Sequence, residues 1–347
     1  MNPIYEPKTL LAAIELLPSA GNFLTKTFFS KEETYNTRMI EVDLVKGGRP
    51  LAPYVSPVRE GVVMKKQGKK TTQIKLPYLK PKYDISAVEA ALRAPGENPY
   101  SQRTPAQRAE EMIGKRLMEG KNAITRTIEV QAAQSLIQGK VIAKGKDDND
   151  QDWSVEVDWE RDPGNTITKA PAGYWTLADV DPIADLRAWR QSLFRTGSRY
   201  ADVAVLGWDV LNAFLGNPNV QKLLDNRRMN VGQALMENKG NGVTHAATIE
   251  GLDIFGYTDW YEDPLTGAVT DMIPGNALVM GCRETSNGVN YGAILDMSYP
   301  AGRGIERKIF PKTWSQEDPS TLWLLLQSSP LATLCEPDSA LAAYPIG

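Results

Sequence analysis

Few residues in this chain have the types and spacing that catalysis would need. The 347 residues contain one histidine, His245, so a serine or cysteine nucleophile that depends on an imidazole base would have to use it. It stands in the stretch GVTHAAT, and the chain has no G-x-S-x-G turn of the kind that presents the serine of many hydrolases. We therefore expect His245 to be a solvated or hydrogen-bonded turn residue and no catalytic residue to be present.

Motifs for nucleotide or sugar chemistry are missing or incomplete. The phosphate-binding pattern G-x-x-x-x-G-K-[ST] is absent, because Val63 stands where the glycine before Gly68-Lys69 would be needed. Asp259 and Glu262, close to Trp260, have the residue types of a glycosidase carboxylate pair. A soluble hydrolase therefore stays open as an alternative from a different class.

The residues that could bind a metal do not have the required spacing. Asp147, Asp148, Asp150 and Asp152 lie close together, yet the glycine and the closing glutamate of a calcium-binding loop are missing. The two cysteines are far apart in the sequence and give neither a disulfide framework nor a zinc pattern. The sequence thus predicts a solvated acidic turn, with no metal and no cofactor.

Charge gives one local signal against a nearly neutral background. The formal net charge is -3, which predicts no general attraction to nucleic acid or to an anionic membrane. No stretch is long and apolar enough to span a bilayer, and the amino terminus does not read as a signal peptide, so we expect a cytoplasmic product. Cations cluster between Tyr54 and Tyr83, against Glu60 as the single acid. They are Arg59, Lys65, Lys66, Lys69, Lys70, Lys75, Lys80 and Lys82.

This lysine-rich stretch has three interpretations. Binding of single-stranded nucleic acid is the least favoured, because no aromatic residues interleave the lysines near the tip. The others are a solvated loop face and a contact with an acidic neighbouring protein. Alternating β-branched and polar residues around Gly68 predict a long two-stranded hairpin over 54–83, and such a hairpin is marginal alone in water.

The element that organises the chain is a very long helix. Thr104, Pro105 and Gln107 form a capping box with proline in the first helical position, and Gly139 suits the carboxyl end. Apolar residues recur between these ends at steps of four or seven, which predicts one narrow stripe that lies across a sheet or a subunit edge. They are Ala109, Ile113, Leu117, Ile124, Ile128, Ala132 and Leu136.

The remaining segments alternate between strand and helix signals. An acidic hairpin is predicted over 141–159, a helix from Asp181-Pro182 to Gly197, a buried strand at 201–207 and further helix after it. Strand signals follow from 243 to 328, so the fold class is α+β. Residues 1–53 read as an arm that cannot bury itself and is expected to pack on something else. An arm, a projecting hairpin and an overlong helix together indicate an assembly protein.

Several segments, in the same order along the chain, resemble the major capsid protein family of lambda-like tailed phages. They are YVSPVREGVV and LPYLKPKYDI within 54–85, LIQGKVIAKG at 136–145, VEVDWER at 155–161, DPIADLRAW at 181–189 and PKTWSQEDPSTLWLLLQSSPLATLCEPD at 311–338. The resemblance spans nearly the whole chain.

This resemblance implies a Hong Kong 97-like phage capsid fold, with an N-terminal arm, an extended β-hairpin loop, a long spine helix, a peripheral domain and an axial domain. The implied boundaries are 1–53 for the arm, 54–85 for the extended loop, 86–174 for the peripheral domain with spine helix 104–139, 175–270 for the axial domain, 271–317 for a return to the peripheral sheet and 318–347 for the last axial part.

The function implied by the resemblance is that of a major capsid protein. Its copies would form hexamers and pentamers in an icosahedral head that is assembled in the host cytoplasm, first as a procapsid, and that encloses double-stranded DNA without sequence-specific binding. Scaffolding, portal and decoration proteins are the implied partners, and no membrane is involved. An encapsulin-like nanocompartment shell is the alternative within the same fold.

Contacts between copies are the expected site. We hypothesise that the lysine-rich hairpin lies over an adjacent subunit and pairs with carboxylates there. The cationic candidates are Arg59, Lys65, Lys66, Lys69, Lys70 and Lys75, and the acidic candidates are Asp147, Asp148, Asp150 and Asp152.

Overall fold

The structure is a computed structural model. It describes residues 7–17, 21–45, 49, 51–58, 60–61, 63–64, 69–92, 103–146, 151–222, 237–240, 242–296 and 304–347. The helices are α1 Pro7–Leu16, α2 Phe23–Phe28, α3 Ala87–Ala91, α4 Pro105–Gln138, α5 Pro182–Gly197 and α6 Trp208–Gly216, and residues 218–222 are also helical.

The strands of the described residues fall into six sheets. They are β1 Lys31–Thr34, β2 Met39–Val45, β3 Lys69–Lys75, β4 Lys82–Ser86, β5 Lys140–Lys146, β6 Asp152–Asp158, β7 Thr166–Thr168, β8 Val203–Leu206, β9 Glu237–Gly240, β10 Val243–Ile249, β11 Leu252–Tyr257, β12 Trp260–Glu262, β13 Val269–Asp271, β14 Leu278–Gly281, β15 Gly288–Tyr291, β16 Phe310–Gln316, β17 Thr321–Gln327, β18 Pro330–Thr333 and β19 Ala340–Tyr344. The sheet orders are β7-β19-β14-β8-β11-β10-β9, β1-β15-β18, β16-β17-β4, β2-β3, β5-β6 and β12-β13. This mixture of helices and sheets confirms the predicted fold class.

The long helix α4 forms where the sequence predicts it. The Thr104 hydroxyl accepts the Gln107 N–H at 3.3 Å, the Gln107 side chain accepts the Thr104 N–H at 3.0 Å, and Gly139 ends the helix with φ of +70°. The predicted stripe is buried from Ile113 to Leu136. It packs on β4, β17, β18 and β5, so one helix holds several sheets together.

Two hydrophobic cores flank the sheets. One surrounds α4 and takes in α1, α2 and one face of the seven-stranded sheet. The other lies on the opposite face of that sheet, under α5 and α6, where Trp189, Leu193 and Phe214 are buried. The predicted acidic hairpin is also confirmed, since β5 and β6 pair antiparallel from Lys140 with Asp158 to Lys146 with Asp152.

The predicted hairpin within 54–83 is wrong in its strand pairing. Strand β3 pairs antiparallel with β2, from Met39 opposite Lys75 to Val45 opposite Lys69, and the described residues of 51–64 lie in no strand. Strand β2 buries Ile40, Val42 and Leu44 on one face, which gives the pair a side that packs on the core. The 54–64 stretch contains Pro57 and Gly61, which weaken a strand.

Two strands lie in a different sheet from the one predicted. Strand β14 sits between β19 and β8 in the seven-stranded sheet, although 271–317 was assigned to the peripheral sheet. All four of its residues are buried, as expected for a central strand covered on both faces. Strand β17 pairs with β16 and β4 instead of lying with the last axial part, because Leu324 and Leu326 face α4.

The described helices and first strand of the arm pack on their own subunit, although the sequence predicts an arm that cannot bury itself. Helices α1 and α2 contact α4, and β1 pairs in parallel with β15. Lys121 of α4 donates from Nζ to the carbonyl oxygens of Ile14 at 2.8 Å and Leu17 at 2.6 Å, at the carboxyl end of α1. A cation at that end complements the helix dipole.

Glu129 of α4 makes a contact of the opposite charge at the amino end of α2. Its carboxyl oxygens accept the N–H groups of Leu24 at 2.6 Å and Thr25 at 3.0 Å, the Thr25 hydroxyl at 2.6 Å and the Tyr257 hydroxyl at 3.1 Å. Burial raises the pKa of Glu129 above its usual value, and the hydrogen bonds from Thr25, Leu24 and Tyr257 offset only part of this rise. We call Lys121 and Glu129 the arm clasp, because the cation binds the carboxyl end of α1 and the carboxylate binds the amino end of α2.

Glu129→Gln tests the arm clasp. We expect it to lower the free energy of unfolding by about 2 to 3 kcal/mol, because an amide cannot accept all the donors that surround the buried carboxylate. The matched control is Glu119→Gln on the same helix, whose exposed side chain pairs with Arg116 and should contribute about 0.5 kcal/mol or less. Urea unfolding of the unassembled chain measures both. Equal losses in the two variants would contradict the clasp.

Two glycines within α4 give a second paired prediction. A Cβ on Gly114 would meet no described atom within 4 Å, so Gly114→Ala should stabilise the chain by about 1 kcal/mol through helix propensity. A Cβ on Gly120 would lie 2.9 Å from Leu326 Cδ1 and 3.2 Å from Tyr83 Cε2. Gly120→Ala should therefore be less stable than Gly114→Ala by about 1 kcal/mol or more. Thermal unfolding of both variants measures the difference in stability. An equal gain in stability from the two substitutions would refute close packing at Gly120.

Candidate subunit-contact surfaces

The structure describes only part of the predicted contact set. Arg59, Lys65, Lys66, Asp147, Asp148 and Asp150 lie outside the described residues. Lys69 and Asp152 have described backbones, at the ends of β3 and β6, but their side chains do not belong to the described part. Lys70 and Lys75 are the two candidates whose side chains can be placed.

Lys70 forms an ion pair within its own subunit. Its Nζ contacts Oε1 of Glu160, which follows β6, and both side chains are largely exposed. An exposed pair of this kind contributes little to stability, so it does not prevent Lys70 from pairing with another chain. Lys75 lies at the far end of β3, opposite Met39, and borders a groove with residues of β6.

The described part of 51–64 exposes a run of large apolar side chains, which we call the apolar segment. Leu51 is 91% exposed, Val58 96% and Val63 94%, and Tyr54 is also fully open to solvent. Scattered apolar residues on a surface are ordinary, but several exposed apolar side chains within one short segment indicate a contact site. The sequence pattern does not predict the apolar segment, because the same residues fit the predicted strand of a hairpin.

A second exposed surface lies on the β12-β13 ribbon. Trp260 and Val269 are exposed there, and Glu262 faces the same side as Trp260 because side chains alternate along a strand. Asp259 accepts the Trp260 N–H at 3.0 Å and the Tyr257 hydroxyl at 3.4 Å. The two carboxylates suggested as a glycosidase pair thus lie on and beside an exposed two-stranded ribbon.

His245 lies in β10 rather than in the turn that the sequence predicts. A register shift follows it in the strand pairing, and its ring packs edge-on against Phe255 with 5.0 Å between ring centroids. Its Nε2 is 3.2 Å from the Thr248 hydroxyl, which donates to Asp253. The Thr248 hydroxyl therefore donates its hydrogen bond to the Asp253 carboxylate. His245 and Thr248 do not form a pair of base and nucleophile.

The thiols and carboxylates of the described residues do not form a reactive centre. Cys282 and Cys335 are free and half-buried. Burial raises the pKa of Cys335 to about 11 and also raises that of Cys282, so both are protonated thiols at neutral pH. Within the described ranges, no three His, Cys, Asp or Glu residues form a group able to hold a metal ion. Likewise, none of the described helices is long and apolar enough to cross a membrane.

Known relatives match this chain along nearly its whole length. It is 28% identical over 347 residues to the major capsid protein of Enterobacteria phage P21 and 26% identical over 345 residues to that of Escherichia phage lambda. Each alignment covers 96% of this chain and 97% of the relative.

Solved capsid structures share the fold. A prophage capsid protein from E. coli CFT073 superposes with a TM-score of 0.72 at 19% identity, covering 97% of this chain and 98% of that one. The mature capsid of bacteriophage PhiM1 gives a TM-score of 0.51 at 10% identity, covering 93% and 87%. The family model described as "Phage major capsid protein E" matches residues 6–343. The chain therefore belongs to the phage major capsid protein E family.

Proposed function

We propose that copies of this protein assemble into the icosahedral head of a tailed phage, first as a procapsid and then as the mature shell around double-stranded DNA. The chain belongs to a structural capsid family and not to an enzyme family. The observation that carries the proposal is the apolar segment, because a capsid subunit that exposes it so fully gains free energy when another subunit covers it.

The proposed shell is built from hexamers and pentamers. Repeated symmetric contacts allow many modest interfaces to give a stable closed particle. In each subunit we assign 1–53 to the arm, 54–85 to the extended loop, 86–174 to the peripheral domain and 175–270 to the axial domain. Because of the observed strand pairings, we also propose that β2 belongs to the base of the extended loop, β14 and β19 to the axial sheet, and β17 to the sheet under α4.

The lysine-rich loop is the proposed electrostatic contact. Lys70 already meets one carboxylate, Glu160, at the surface of its own subunit. We propose that Arg59, Lys65, Lys66 and Lys69 reach carboxylates of the adjacent subunit, with 147–152 as the candidate partner segment. Exposed charges of this kind guide association and set the register more than they add affinity.

Other partners follow from the head assembly that we propose. Scaffolding, portal and decoration proteins would bind during assembly in the host cytoplasm, and DNA would be enclosed without sequence-specific contacts. The net charge of -3 suits an inner capsid surface that does not bind DNA phosphates strongly. The match to phage capsid proteins along 96% of the chain favours this head over an encapsulin-like nanocompartment. The hydrolase alternative lacks support, since His245 faces a hydroxyl that is already bound to Asp253.

Charge reversal tests the proposed contact. Replacing Lys65, Lys66, Lys69 and Lys70 by Glu should prevent particle formation while the monomer stays folded, because the loop would repel the carboxylates of its neighbour. Negative-stain microscopy scores particles, with and without a scaffolding protein, and circular dichroism with size-exclusion chromatography scores folding. Normal particles from this variant would refute the electrostatic contact.

The pair inside the subunit needs its own control. Lys70→Glu combined with Glu160→Lys reverses both members of the ion pair and keeps their attraction. If this double variant restores the particles that Lys70→Glu alone loses, Lys70 acts within its subunit and the contact with a neighbour is wrong for that residue. If particles stay absent, Lys70 acts between subunits.

A further inference from the structure

A groove lies between the base of the β2-β3 ribbon and the β5-β6 ribbon. It has a volume of about 610 Å³ and is bordered by segments that are far apart in the sequence. We call it the basic groove, because the charged lining residues in the described part of the chain are all cations. They are Arg38, Lys75, Lys80 and Lys146.

Three cations of the basic groove have no carboxylate partner among the described residues. Arg38, Lys75 and Lys80 form no ion pair with any carboxylate of the described residues. Asp296 follows the groove residue Leu295, but its side chain is 6% exposed and is held by Lys312 Nζ at 2.8 Å and Gln327 Nε2 at 2.9 Å. Like charges gathered in one groove repel each other, so a bound anion would stabilise the arrangement.

Arg38 also has an unsatisfied donor at this place. Its Nε is buried and has no hydrogen-bond acceptor among the described residues. Buried polar groups in proteins nearly always have a partner, and an unpaired one costs about 1 to 3 kcal/mol. The guanidinium carbon lies 5.5 Å from the centre of the Tyr78 ring, which holds the group beside the groove but supplies no acceptor for Nε.

The rest of the lining is apolar and favours a peptide. Trp153 is 42% exposed and Leu295 57%, and Pro77 and Val155 also border the space. Tyr78 and Trp153 are the aromatic lining residues, and Arg38 and Lys80 lie over the Tyr78 ring at 5.5 and 5.0 Å from its centre, which leaves Trp153 as the open aromatic face. One such face gives successive nucleic-acid bases little surface on which to stack, but together with Leu295 it suits an aliphatic side chain. The ligand that fits therefore combines carboxylates with one apolar side chain.

We propose that the basic groove binds an acidic, extended protein segment, whose carboxylates pair with Arg38, Lys75 and Lys80 while one apolar side chain packs on Trp153 and Leu295. The segment belongs to a partner protein of the proposed shell, and in that respect the inference rests on the proposed function. Arginine gives this site planar recognition of a carboxylate, and the lysines add charge.

The test uses the full chain, both unassembled and in particles. The probe is a fluorescein-labelled peptide of six Asp and Glu residues around one Leu, and its binding is followed by fluorescence anisotropy at several salt concentrations. A peptide with Asn and Gln in place of the acids is the neutral control, and single-stranded and double-stranded DNA of equal charge are the competing anions.

Lys75→Gln/Lys80→Gln should weaken binding of the acidic peptide at least tenfold, and Arg38→Met should weaken it to a similar extent. Lys115→Gln/Arg126→Gln removes the same charge from exposed positions on α4 and should change binding less than twofold. The neutral peptide should bind at least tenfold more weakly than the acidic one. Circular dichroism confirms that each variant is folded.

Three results would overturn the proposal. The first is equal weakening by the groove variant and the α4 variant, which would show only a response to net charge. The second is equal binding of the acidic and neutral peptides. The third is DNA that binds more tightly than the peptide and loses this binding in the groove variants, which would make the groove a phosphate site. Particle formation is scored separately by microscopy, so a failure here leaves the proposed shell function standing.

Discussion

The subunit buries the apolar stripe of its 34-residue helix but leaves other apolar side chains open to water. The stripe from Ile113 to Leu136 is covered by β4, β17, β18 and the arm, so the helix satisfies its own apolar face within the chain. The apolar segment within 51–64 has no such cover among the described residues. In the shell that we propose, burial of this segment between copies would add to the free energy of assembly.

Charge placement on the same helix organises the arm. Lys121 binds the carboxyl end of α1, and Glu129 binds the amino end of α2, two turns further along. Each contact matches the sign of a helix terminus, so the arm can dock in one direction. Tyr257 extends the second contact to the seven-stranded sheet. The arm, the spine helix and that sheet are therefore linked through one buried carboxylate.

Local signals in the sequence predict the helices and most strands, but they do not predict which distant strands pair with each other. Thr104, Gln107 and Gly139 define the ends of α4 because caps are made by residues next to the helix. The partner of β3 could not be read locally, because β2 lies on the far side of the loop and its alternating pattern competes with that of 54–64. The family resemblance supplied the function, which no motif in the chain encodes. The sequence does not predict the basic groove, because Arg38, Lys80 and Trp153 come together only in the folded chain.

Hydrogen–deuterium exchange on residues 51–58 tests the central claim most directly. The amides of this stretch are compared between the unassembled subunit and the assembled particle, with α4 as the internal reference. Burial of the apolar segment between copies predicts at least tenfold slower exchange in the particle and little change along α4. Equally fast exchange of 51–58 in subunit and particle would contradict it, because the segment would then stay open to water after assembly.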